Sequence, residues 1–161
     1  KPRLDMQPVK KSVLAPYFDE IADADLQDVK LLTCTEAAEV WAENFDRKAK
    51  GLYDLPNDLW AERGPWFAIG TWLDAYNGLV DPRGVADLVV KASNWSVVEP
   101  LLFVQNSRQV VALELQNFSK CWQGLLAAFD DGPVLMSRSG RGDIAFRFVP
   151  LGQVMLKTIN R

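Results

Sequence analysis

The chain has 161 residues, 48% of them hydrophobic and 24% charged, with a formal net charge of −3. These values suit one folded domain and exclude a disordered chain, and no apolar run approaches the roughly 18 residues of a membrane-spanning helix. There is no histidine, which excludes Ser-His-Asp and Cys-His nucleophiles and imidazole-based zinc sites.

Charge is unevenly placed. Four cations against Asp5 give residues 1–11 a charge of +3, which leaves −6 on the rest of a chain whose total is −3. Residues 1–12 read as a basic, flexible arm and 13–161 as one domain. The arm has no apolar stretch or cleavage site behind it, so it does not read as a signal peptide. Two distant cysteines, Cys34 and Cys121, make no disulfide framework. A cytoplasmic protein is expected. From Asp19 to Asp46, nine carboxylates face Lys30 alone, an imbalance that repels phosphate and attracts basic partners.

The first strong helix is predicted from Thr33, where Thr33 and Glu36 have capping-box spacing. Ala37, Val40, Trp41, Asn44 and Phe45 form its buried stripe, and Gly51 bounds it. Pro56 and Gly64-Pro65 break the stretch that follows. Trp66, Ile69, Leu73 and Tyr76 lie at helical spacing, so a second helix is expected over 66–77. Asp81-Pro82 opens a third, with Val85, Leu88, Val89 and Ala92 as its stripe.

The period then changes. Leu101–Gln105 and Val110–Leu115 predict a hairpin across Asn106-Ser107-Arg108. A helix is expected from Asn117, read as its cap, with Phe118, Cys121, Trp122, Leu125, Leu126 and Phe129 inward. After the Asp130-Asp131-Gly132-Pro133 turn come strands over 134–136, 144–149 and 154–159. The predicted fold is α+β: N-terminal helices followed by a mainly antiparallel sheet, β-β-α-β-β-β, covered by helices on one face.

Several groups are candidate sites. Asp28, Glu36, Glu39, Glu43 and Asp46 offer an acidic protein-binding surface. Tyr53, Trp60, Trp66, Trp72 and Tyr76 form a dense aromatic group suited to a pocket or an interface. Asp130 and Asp131 are a possible polar site, although adjacent carboxylates in a turn commonly bond local backbone. Cys34 falls at a helix start, where a thiolate is favoured, but Glu36 and Glu39 oppose it. Asp23, Asp25 and Asp28 resemble the opening of a calcium loop without its glycine and distal Glu. Arg138, Arg141 and Arg147 offer a weak anion site, and Arg141-Gly142-Asp143 an integrin-type tripeptide. No metal or other cofactor is expected.

Two stretches carry a family resemblance. Asp25-Leu26, Lys30-Leu31-Leu32-Thr33, Ala37-Ala38 and Trp41 resemble the opening of a family of small uncharacterised bacterial proteins known as a domain of unknown function. Phe118, Cys121-Trp122, Leu125-Leu126 and Phe129 through Leu135 resemble its latter half. The segment between Gly51 and Gly84 does not match that pattern. The resemblance implies a bacterial source and supplies no activity. Size, acidity and layout are also similar to those of bacterial toxin-immunity proteins.

The functional expectation is a non-catalytic protein-binding domain of immunity or inhibitor type, taking a basic partner such as a toxin through its acidic surface. The alternative is a small-molecule binder or carboxylate-based enzyme with an aromatic pocket. Neither membrane nor nucleic acid is expected as a partner, and the sequence leaves the oligomeric state open.

Overall fold

Side chains alternate across a strand, so four consecutive buried apolar residues need a core on each side of the sheet. Leu101, Leu102, Phe103 and Val104 form such a run in β4 (Pro100–Val104), and all four are buried. In the computed structural model, which describes residues 7–8, 26–45, 66–138 and 144–158, β4 lies inside an eight-stranded sheet. Its neighbours are β5 (Val110–Glu114) and β6 (Val134–Ser137). The other strands are β1 (Gln7–Pro8), β2 (Lys30–Leu31), β3 (Phe67–Thr71), β7 (Ile144–Phe148) and β8 (Gln153–Thr158). The order is β1-β2-β5-β4-β6-β7-β8-β3, and every pairing is antiparallel.

Four helices occur among the described residues: α1 (Cys34–Asn44), α2 (Leu73–Tyr76), α3 (Arg83–Ser93) and α4 (Leu115–Ala128). On one face, Leu101, Phe103, Val111, Leu113, Leu135, Phe146 and Phe148 meet the apolar stripes of α3 and α4. On the other, Leu102, Val104, Val110, Ala112, Val134 and Met136 meet Ala37 and Trp41 of α1 and Phe45, its C-cap. The sheet is therefore covered on both faces, which corrects the expectation of helices on one face. The reason is the two-sided burial of β4, together with Ala145, which alternates with Phe146 and faces the α1 core.

Aromatic packing concentrates at the α4 face. Phe103 stacks on Phe129 with ring centroids 5.7 Å apart, and Phe148 lies 5.6 Å from Phe118. Such contacts add about 0.5–1.5 kcal/mol per pair, beyond the roughly 1.5–3 kcal/mol from burying a Phe side chain. On the opposite face, Trp41 stacks on Phe45 at 4.6 Å, one helical turn apart.

Local signals set the helix ends. Thr33 Oγ1 accepts from the Glu36 N–H at 3.2 Å, as the capping spacing predicts. α4 begins two residues before its expected cap: Glu114 is the N-cap, and Asn117 Oδ1 accepts from the Glu114 N–H at 2.9 Å. The earlier start places Leu115, 1% exposed, in the core directly after β5. At α3, Asp81 accepts from the backbone N–H of Arg83 and from its guanidinium, at 2.8 Å for the closest side-chain contact.

The segment predicted as a helix over 66–77 is instead strand β3 followed by the short α2. Helical spacing among Trp66, Ile69, Leu73 and Tyr76 is compatible with both structures because the apolar set spans the junction. Gly70 lies in β3 against α3. A Cβ there would lie 2.5 Å from Leu88 Cδ1, so the bare backbone lets α3 approach β3 closely. A bulge between Ala68 and Gly70 shifts the register against β8.

Two indoles test this packing. Trp72 Nε1 donates to the Val149 carbonyl at 2.9 Å, tying the start of α2 to the end of β7. Trp95 Nε1, in a ring 6% exposed and edge-on to Phe146, has no acceptor among the described residues. Both changes lose ring volume, but only Trp72→Phe also removes a hydrogen bond, and the Val149 carbonyl keeps the Gly152 N–H at 2.9 Å, so it should cost about 0.5–1.5 kcal/mol more in urea unfolding than Trp95→Phe. Equal losses would show that the Trp72 bond adds nothing to stability. The Asp81 carboxyl is held below its ordinary pKa by the Arg83 side-chain hydrogen bond and then by the Arg83 N–H. Its stabilising contribution is present above the unfolded-state value and fades as pH falls through the folded one. An NMR titration should find that low midpoint, and Arg83→Ala should raise it.

Candidate functional site

The acidic candidates are partly gathered by α1. Burying Ala37, Trp41 and Phe45 against the sheet fixes the helix rotation. Glu36, Glu39 and Glu43, spaced by three and four residues, then share one outward stripe. Glu39 and Glu43 are exposed and Glu36 is half-buried. The last turn of α1 carries no basic residue to offset them. Asp28 is exposed before β2, and Asp46 lies outside the described residues.

The Asp130–Pro133 turn has a structural role. Both carboxylates are exposed, but Gln105 behind them is only 4% exposed. Gln105 Oε1 accepts from the Asp131 N–H at 3.3 Å, and its Nε2 reaches Asp130 Oδ1 at 3.5 Å. Gly132 has φ +72°, the left-handed region, and its carbonyl accepts from Arg147 Nε at 3.1 Å. A Cβ on Gly132 would come within 3.1 Å of that same Nε. The turn is thus clamped from the β4–β5 hairpin and from β7. Sequence spacing could not reveal Gln105, because it lies 25 positions from Asp130.

The aromatic candidates divide. Trp72 is buried core and Tyr76 is 37% exposed, with their rings edge-on at 5.7 Å. Trp66 is half-buried. Tyr53 and Trp60 lie outside the described residues, as do Asp23, Asp25 and the Arg141-Gly142-Asp143 tripeptide. Among the described residues, no hydrogen bond joins Trp66, Trp72 or Tyr76 to Asp130 or Asp131.

One residue not singled out from sequence is Lys157, 1% exposed. It pairs with Ala145 across β7 and β8, on the α1 face of the sheet. Its Nζ lies 5.8 Å from the Trp66 ring centroid, a cation–π contact that offsets part of the cost of burying an ammonium. The alternation of β8 places Lys157 opposite the apolar face that holds Val154. That placement was readable, but its burial depends on tertiary packing.

Cys34 is exposed at the first turn of α1, and Cys121 is buried in the α4 core. Among the described residues, no three Cys, Asp or Glu side chains converge as a metal site, and no helix is long and apolar enough to cross a membrane.

An antiparallel α+β sheet covered on both faces, with a carboxylate-lined helix outside one of them, defines the class of domain. The chain belongs to the DUF2947 family, described as a protein of unknown function, whose family model matches residues 13–154. No curated protein and no solved structure matches the chain.

The clamp on the Asp130–Pro133 turn has a direct test. Gln105→Leu leaves the Asp131 N–H without its partner and should destabilise the fold by about 1–3 kcal/mol. Asp130→Asn keeps an acceptor and should cost less than about 0.5 kcal/mol. Chemical denaturation of both variants would separate a structural turn from one whose carboxylate charge is needed for stability.

Proposed function

We propose that this chain is a non-catalytic protein-binding domain of immunity or inhibitor type, which takes a basic partner along the Glu36–Glu39–Glu43 stripe of α1. The observation that supports this reading is the rigid presentation of that stripe. Trp41 and Phe45, 2% and 6% exposed, pin the opposite side of the helix into the core. The carboxylates therefore keep their spacing when a partner arrives, and little backbone ordering is needed on binding. Three carboxylates at one-turn intervals complement Lys or Arg groups with similar spacing on a toxin surface. The acidic excess of the chain beyond residue 11 adds long-range steering toward such a partner.

The test is affinity capture from a lysate of the source organism at low and high salt, with Glu39→Lys/Glu43→Lys in parallel. The expected result is one stoichiometric basic protein, lost with the double variant. Its association rate should fall roughly tenfold or more between low and physiological salt. A partner captured equally by the double variant, or associating at a salt-independent rate, would remove α1 from the interface.

A further inference from the structure

Helix α2 ends in a Schellman closure, with Asn77 as its C-cap and Gly78 next, in the left-handed region at φ +76°. The Gly78 N–H donates to the Ala75 carbonyl at 3.2 Å, and the Leu79 N–H to the Asp74 carbonyl at 2.8 Å. Packing adds little to these bonds. Residues 76–84 are all exposed. Leu79, whose side chain packs back on the helix in many such closures, is 73% exposed. A Cβ on Gly78 would meet nothing within 4 Å among the described residues. A turn with so few buried contacts opens locally far more often than the domain unfolds.

Asn77 differs from the other asparagines of the described residues. Asn44 Nδ2 donates to the Val40 carbonyl at 2.9 Å, and the N–H after it, on Phe45, is bonded to Trp41. Asn106 Oδ1 accepts from the N–H groups of Arg108 and Gln109, and Asn117 Oδ1 from that of Glu114. Asn94 precedes the bulky Trp95, whose N–H donates to Ser93 Oγ at 3.1 Å. The Asn77 carboxamide takes part in no hydrogen bond among the described residues. Of these asparagines, Asn77 alone precedes glycine, which has no side chain to hinder attack by its own nitrogen.

We propose that Asn77 is a site of spontaneous deamidation, with water as the co-reactant. The turn must open first, because at the Asn77 ψ of 3° the Gly78 nitrogen is turned away from the side chain and its N–H is bonded to Ala75. Once open, that nitrogen loses its proton to hydroxide and attacks Asn77 Cγ. The new N–Cγ bond closes a succinimide ring, the Cγ–Nδ2 bond breaks, and ammonia leaves with a proton taken from water. Water then opens the ring at either carbonyl. Opening at Cγ gives an aspartate in an unchanged backbone. Opening at the main-chain carbonyl gives an isoaspartate, whose backbone runs through Cβ and Cγ and whose α-carboxylate is free. Either product places a new negative charge at a helix C-terminus, between Asp74 and Asp81. The isoaspartate also lengthens the backbone by a methylene, so the Gly78 and Leu79 N–H groups lose the register that closes α2.

Incubation of the full chain for weeks at physiological temperature tests this, in neutral buffer with and without denaturing urea. Ion exchange measures the acidic species. Peptide mass spectrometry after digestion at mildly acidic pH places the change, and electron-transfer fragmentation separates isoaspartate from aspartate. Conversion at Asn77 in the folded chain should run within roughly a hundredfold of its rate in urea, because local opening suffices. It should be roughly tenfold faster about two pH units above neutral, where more of the attacking nitrogen is deprotonated. Asn44, Asn94, Asn106 and Asn117 should stay intact in the folded chain. Asn77→Gln, an exposed change, should fold and lose the acidic species. Circular dichroism checks its folding, and the wild-type peptide map alone decides if it does not fold. A folded-chain rate at Asn77 more than roughly a hundredfold below the rate in urea overturns the proposal, since global unfolding to a fraction of about 10⁻³ or less would then account for it. Conversion at another of these asparagines before Asn77 does so too.

Discussion

The two-sided burial of β4 is the constraint on which the rest of the molecule depends. A strand whose inward and outward side chains are all apolar cannot face water on either side. Leu101 and Phe103 call for one cover, Leu102 and Val104 for another, and the chain supplies α3 with α4 and then α1. Each cover serves the same few strands, so neither can be removed without exposing residues that the other cannot reach. This ties the orientation of α1, and so the direction of its carboxylates, to the centre of the sheet.

Polar groups in the structure follow the same logic. Those that stay in water, such as Asp130, Asp131, Glu39 and Glu43, are available to other molecules. Two taken inside do structural duty and are bonded: Gln105 holds a turn, and Ser137 Oγ donates to Glu99 Oε2 at 3.1 Å. Lys157 carries its charge into the sheet face beside an indole. Because removing one partner of a buried polar contact leaves the other desolvated, these interior groups fix local geometry more tightly than the exposed ones.

Much of the fold was legible where periodicity was unambiguous. The hairpin over Leu101–Leu115, the stripe of α4 and the alternation of Phe146 and Phe148 each matched one template. The stretch around Trp66–Tyr76 did not, because an edge strand running into a short helix shows both spacings at once. The double cover of the sheet was also written in the uninterrupted run Leu101–Val104. At the candidate site, the spacing of Glu36, Glu39 and Glu43 was visible along the helix. The Gln105 clamp and the burial of Lys157 join residues far apart in sequence, and no local pattern contains them.

The position of β8 bears on how the chain is made. β8 lies between β7 and β3, and β3 has no other strand partner among the described residues. Trp72, just after β3, closes its hydrogen bond to a carbonyl 77 positions later. During synthesis β3 is therefore among the first sheet strands to leave the ribosome and among the last to find its place. For that interval its uncharged, aromatic segment is without β8, a window in which chaperone capture and misassembly with neighbouring chains compete with folding.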